Sequence, residues 1–166
     1  MKGDVDVRGG VALVSQRAWI QNCSVKDAVL FHSPYDSNKY DRVLDACQLL
    51  PDIAMLPNGD STEIGERFPL FKFLFSEPYS CYCPSFNHRG INLSGGQQQR
   101  IALARAAYRR DSKHVYLLDD PLSAVDVHVA SLLWKSVVVG LLKDKTRLVV
   151  LNSHYHLARQ ADMVPA

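Results

Sequence analysis

Apolar residues fall along the chain in short continuous runs and helical stripes, separated by glycine and proline breaks. Val5 and Val7 alternate with acidic residues up to Gly9-Gly10, and Val11-Ala12-Leu13-Val14 follows as an unbroken run ending at Ser15-Gln16. The alternation predicts a hairpin-like sheet edge, and the run a buried strand. Ser24 is placed to cap a short helix through Phe31. From Asp36, the spacing of Tyr40, Val43, Leu44 and Cys47 predicts an amphipathic helix over 36–50 that breaks at Pro51. Residues 57–60 (Pro-Asn-Gly-Asp) read as a turn. Ser94 with Gln97 three residues on has the form of a capping box, opening a helix through Ile101, Ala104 and Ala107 to Arg110. Val115 to Leu118 reads as a buried strand ending in Asp119-Asp120. Val129, Leu132, Leu133, Val137 and Leu141 form a helical stripe, and residues 147–151 a further buried strand. Apolar strands separated by helices predict an α/β fold with a parallel, helix-covered sheet.

Composition narrows the function classes. The chain has 166 residues, 47% hydrophobic and 22% charged, with a formal charge of +2. That suffices for one core and is too balanced for a nucleic-acid or polybasic membrane footprint. Arg100, Arg105 and Arg109 on the capped helix accordingly read as a solvated face or as contacts to neighbouring domains. The longest apolar run of note, Val137 to Leu142, is far short of a spanning helix. The first residues lack the apolar core of a secretory signal, so a reducing, cytosolic setting is expected for Cys23, Cys47, Cys81 and Cys83.

Two stretches carry chemistry. In Leu93-Ser94-Gly95-Gly96-Gln97 the glycines let a ligand approach the backbone, the serine hydroxyl can donate, and the first amides of a helix suit an anion. A plain helix cap is the simpler reading of these residues alone. Asp119-Asp120 at the carboxyl end of a parallel strand suits Mg²⁺ held on nucleotide phosphates, with a second carboxylate able to orient or deprotonate water. A solvated loop start with two acids is the alternative.

Together these residues resemble the nucleotide-binding domain of ABC transporters. LSGGQQQRIALARA matches the signature motif and its helix, VYLLDD the Walker B strand, Ser123 to Asp126 (SAVD) the D-loop, and Gln16 after VALVSQ the Q-loop. QRAWIQNCSVKDAVLF and LPNGDSTEIGER are most similar to subfamily C, the multidrug-resistance-associated exporters. The resemblance implies a P-loop NTPase-like ABC ATPase domain with a helical subdomain. It divides the chain into a β edge and Q-loop (1–16), a helical subdomain with the signature helix (17–110), and Walker B, D-loop and switch region (111–166). It implies that Asp119 and Gln16 hold Mg²⁺, and that Asp120, His154 and Gln16 serve hydrolysis. Ser94, Gly95, Gly96 and Gln97 would cap ATP bound on an opposite domain, with Ser123 and Asp126 in the interface. ATP, Mg²⁺, a second nucleotide-binding domain and transmembrane domains are the implied partners, with no nucleic acid. The implied location is the cytosolic face of a membrane.

Three departures qualify that picture. No G-x-x-x-x-G-K-[ST] phosphate loop occurs in the 166 residues, so the expectation is an N-terminally truncated domain, lacking the Walker A strand and loop, that binds ATP poorly alone and is unstable or aggregates. Asp120 stands where the resemblance leads one to expect Glu, which implies a slow or non-hydrolysing half-site, as in the first of two such domains. His154 and Ser153 both compete for the switch-histidine position, with His154 favoured.

Residues 68–89, with three prolines and seven Phe or Tyr, fit no period and read as an insertion between Arg67 and Gly90. Cys81, Cys83 and His88 in it suggest zinc only at unusual spacing. The leading reading is an ATPase-domain fragment of an exporter, its own enzymatic activity left open. A non-catalytic interaction module or pseudogene product that supplies LSGGQ without binding nucleotide is the alternative. A soluble ATPase of the DNA-repair or translation type is more remote.

Overall fold

The computed structural model describes residues 9–65 and 90–163. The expected edge at Val5 and Val7, and the stretch 68–89 with Cys81, Cys83 and His88, lie outside them. In chain order the elements are β1 (Val11–Val14), β2 (Cys23–Ser24), α1 (Val25–Leu30), α2 (Ser37–Ala46), α3 (Leu50–Met55), β3 (Glu63–Ile64), α4 (Gly95–Tyr108), β4 (Val115–Asp119), α5 (Val127–Leu133) and β5 (Thr146–Val150).

The main sheet is parallel, in the order β1-β4-β5. Its register aligns Leu13 with Leu117 and Leu148, and Val14 with Leu118 and Val149. Side chains alternate across a sheet, so Val14, Tyr116 and Leu118 share one face, which is buried. Val11, Leu13, Leu148 and Val150 occupy the other and are exposed. The expectation that these runs are buried strands is therefore corrected for β1 and β5, which bury one face only. Helices cover the sheet on one side among the described residues, and a continuous apolar run does not by itself distinguish one covered face from two.

α4 is the central helix. Ile101, Leu103, Ala104, Ala107 and Tyr108 are buried against α1, α2 and the sheet. The Tyr108 hydroxyl donates to the Pro34 carbonyl (2.7 Å) and accepts the Asp36 N–H (2.9 Å), which fixes the start of α2. Ser24 caps α1 as expected, accepting from the Asp27 amide at 3.0 Å. The helix expected over 36–50 stops earlier. Gln48 turns left-handed (φ 53°), and Pro51 sits in the first turn of α3 rather than breaking α2. Proline lacks only an amide that a first turn leaves unpaired in any case.

The Val129–Leu141 stripe is also modified. α5 widens into a π-helix over Trp134–Leu141, so the buried positions become Leu133-Trp134, Val137-Val138 and Leu142. β2 and β3 form a two-residue antiparallel pair, and Ile64 bridges Ile91 across the 66–89 stretch. These short pairings left no periodic trace in the sequence.

Candidate functional site

The amino end of α4 meets the loop between β4 and α5 at Ser94–Gly96. The other candidate residues, Gln16, Asp119, Asp120 and His154, lie at the carboxyl ends of the parallel strands and do not line the cavity formed there. Both halves of the capping box form: the Gln97 amide donates to Ser94 Oγ (3.3 Å), and the Ser94 amide to Gln97 Oε1 (2.9 Å). The cap leaves the Gly95 and Gly96 amides outside the helix ladder. It also leaves the Ser94 hydroxyl proton able to donate. A Cβ on Gly96 would stand 2.8 Å from the Ala124 carbonyl oxygen, so glycine is what lets the segment after β4 pack against the turn. Between them lies a cavity of about 320 Å³ whose lining includes Ser94, Gly95, Gly96, Arg100, Ala124 and Asp126.

Asp126 caps α5, accepting the amides of His128 (2.9 Å) and Val129 (3.0 Å). The Val129 amide, followed by that of His128, holds its carboxyl below the usual carboxylate range. Ser123 closes the preceding turn, its amide and hydroxyl both donating to the Asp120 carbonyl (3.2 and 3.0 Å). Residues 124–126 thus meet the Ser94–Gln97 turn directly.

The two strand-end acids differ sharply. Asp119 ends β4 beside Val150 and is exposed. Asp120 is only 2% exposed and left-handed (φ 46°). Its amide donates to the Val150 carbonyl (2.9 Å), and its Oδ1 accepts the Asn152 amide at 3.2 Å. Asp120 therefore straps the end of β4 to the segment after β5. Ser153 and His154 follow immediately. His154 is half-buried and left-handed (φ 55°), opening a 3-10 turn over Tyr155–Gln160, and its ring lies 6.1 Å from that of His156. Gln16 is exposed two residues past β1, at the same sheet edge. The buried Gln99 of α4 donates to the Ser15 carbonyl (3.3 Å), coupling the Gln16 loop to the capped helix.

Three contributors have no local sequence signature: Gln99, Asn152 and Asp52. Asp52 Oδ1 accepts from Gln97 Nε2 (2.9 Å) and from Arg100 Nη2 (3.3 Å), and its Oδ2 lies 2.6 Å from Arg100 Nη1. Arg100 and Arg105 of α4, and Arg109 at its end, make contacts within the chain, which corrects the expectation of a solvated face. Arg100 is held by Asp52 and the Gln48 carbonyl. Arg105 donates to the carbonyls of Ala28 and Trp19 and lies over the Trp19 and Phe31 rings. Arg109 lies over Phe31. No cluster of metal-ligating side chains occurs among the described residues.

No protein-family model matches the chain. The chain is 44% identical over 164 residues, 98% of its length, to the Mus musculus protein "ATP-binding cassette sub-family C member 2". It is 45% identical over 159 residues (94%) to "ABC transporter C family member 8" of Dictyostelium discoideum. Over 154 residues (92%) it is 45% identical to "Multidrug resistance protein mrp-7" of Caenorhabditis elegans. The chain spans 8–9% of the length of these relatives.

Proposed function

This chain belongs to ATP-binding cassette sub-family C, and from that premise we propose that it is part of a nucleotide-binding domain in an exporter that couples ATP binding and hydrolysis to transport. The observation that carries the reading is the capped turn Ser94–Gln97 packed against residues 123–126 around a cavity of about 320 Å³. Its donor set fits a terminal phosphate: two helix-start amides and a serine hydroxyl, with no side chain on either glycine to block approach. The phosphate is that of an ATP seated on a second, opposed domain.

Asp119, exposed at the carboxyl edge of the sheet, would hold the hydrated Mg²⁺ of a nucleotide on this chain's own side, with Gln16 beside it. The ion would neutralise developing phosphate charge. Asp120 instead organises the switch segment, because its Oδ1 is already accepting the Asn152 amide. A buried carboxylate so engaged is a poor base for an external water, which supports a slow half-site on this side and a competent one opposite. His154 then stands at the switch position, carried next to the strap. No described helix is long and apolar enough to cross a membrane. The chain would dock, with the domains named above, on the cytosolic face.

The test uses membrane vesicles holding the full-length protein that carries this segment. Ser94→Arg should abolish ATP hydrolysis and ATP-driven uptake while leaving azido-ATP photolabelling intact. Unchanged hydrolysis in that variant would overturn the reading.

A further inference from the structure

The signature turn is not held by α4 alone. Gln97 can keep its cap only with Oε1 turned toward the Ser94 amide, and that choice aims Nε2 at α3. There Asp52 Oδ1 receives it at 2.9 Å. An ionised carboxylate accepts and cannot donate, so it fixes one of the two amide orientations and penalises the other. The same carboxylate grips Arg100 by both terminal nitrogens (2.6 and 3.3 Å), while Arg100 Nε returns to the Gly96 carbonyl at 3.3 Å. Nη1 also donates to the Gln48 carbonyl (2.5 Å), at the left-handed corner between α2 and α3. A closed ring results, from the Ser94 amide through Gln97, Asp52 and Arg100 back to Gly96, fastening both ends of the Ser-Gly-Gly-Gln stretch.

The Asp52 and Arg100 side chains are only 20% and 15% exposed, so the ring is sheltered from the screening that weakens surface pairs. Arg100 also lines the cavity, and Asp52 is the acid that neutralises it there. We propose that Asp52 is the positioning residue of the signature turn, setting the Gln97 amide and restraining Arg100 so that Ser94, Gly95 and Gly96 present a preformed phosphate surface. The proposal rests on the reading of this turn as the nucleotide-capping surface.

A charge-swap rescue tests it in vesicles of the full-length protein. Gln97→Glu keeps an oxygen for the Ser94 amide but sets a carboxylate against Asp52. It should lower kcat about tenfold, the weight of one charge-assisted bond exchanged for repulsion. KM for ATP should stay within about twofold, since the capping surface acts on nucleotide already bound opposite. Adding Asp52→Asn restores a donor–acceptor pair of reversed polarity, and kcat should return to within about threefold of the parent. Both substitutions are nearly isosteric, and azido-ATP labelling normalises for folded protein, so loss of fold alone cannot imitate the recovery. A harmless Gln97→Glu, or a double variant no better than the worse single one, would overturn the proposal. Ser94→Arg separates the two levels: if it too leaves hydrolysis unchanged, the capping reading itself has failed.

Discussion

Replacing Leu13 and Leu148 together by threonine tests whether the open face of the sheet governs how the chain behaves in solution. These side chains are 66% and 60% exposed, and Val11 and Val150 beside them 40% and 53%. Full burial of such a side chain is worth about 1.5–3 kcal/mol, so the third or so that folding buries contributes about 0.5–1 kcal/mol at each leucine. The double substitution should therefore cost about 1–2 kcal/mol, and threonine's preference for strands offsets part of it.

The exposed fractions of all four side chains, if covered by a second molecule, would contribute about 3–7 kcal/mol gross. Association costs about 4–15 kcal/mol in lost freedom, so a tight, defined dimer is not expected. Weak, concentration-dependent clustering is, aided by β1 and β5 as sheet edges among the described residues. Sedimentation velocity over a wide concentration range should show the parent chain broadening and the variant shifting toward monomer. Urea unfolding should show only the small stability loss. A parent chain that is monomeric throughout and melts sharply and reversibly would refute the reasoning. So would a loss of about 2–5 kcal/mol per leucine, the signature of a fully buried site.

In that solubilised background, Asp120→Ala should lower the unfolding free energy by about 2–4 kcal/mol, combining one bond to a charged acceptor with the strain of a left-handed alanine. Asp120→Asn, which keeps an acceptor and tolerates that backbone, should cost under about 1 kcal/mol; equal losses in urea titrations would dismiss the strap. Deleting 68–89 and joining Arg67 to Gly90 should leave the urea midpoint unchanged, because the flanks are already closed by the Ile91 amide on the Glu63 carbonyl (2.9 Å) and the Gly65 amide on the Ile91 carbonyl (3.4 Å). Asp126 titrates below the usual range, so its contribution is complete above the ordinary Asp value near ~3.9 and disappears as pH falls through its lower folded value. Asp126→Asn should accordingly flatten the acid limb of the melting-temperature profile. Cys47 is fully buried, and burial pushes its thiol well above the ordinary value, with Arg100 opposing weakly. Iodoacetamide at about pH 8 should spare it in the native chain and modify it in urea, as read by peptide mapping.

What the sequence disclosed of this fold is what lies within a few residues along the chain. The Ser94–Gln97 box spans three positions and forms as its letters suggest. Ser24 and its helix do likewise. The three parallel strands fall within a residue of their apolar runs, since continuous Val and Leu between turn residues leaves few other structures. The errors have equally local causes. Gln48 is an unremarkable letter that takes a left-handed corner ahead of the proline that drew attention. The π-helix over Trp134–Leu141 shifts a regular stripe out of phase. Whether a strand is covered on one face or two depends on what packs there, which strand composition alone does not encode.

The candidate site was legible as a set of parts and illegible as an assembly, for the same reason. Gln97 meets Asp52 across 45 residues, Gln99 meets the Ser15 carbonyl across 84, and Asp120 meets Asn152 across 32. No periodicity spans such distances, and two of the three bonds end on backbone atoms that any residue could supply. Asp119 and Asp120 show the consequence most plainly. As letters they are a symmetric pair, each a plausible ligand or base. Folding makes them opposites: the first stays extended and exposed at the end of its strand, while the second takes a positive φ, buries its carboxylate and spends an oxygen on the chain leaving β5. The difference between an exposed carboxylate at a strand end and one that positions a neighbouring segment is thus set by one backbone angle and one long-range amide. A substitution at either acid therefore tests a different link, at Asp119 the proposed hold on a nucleotide-bound ion and at Asp120 the strap to the segment after β5.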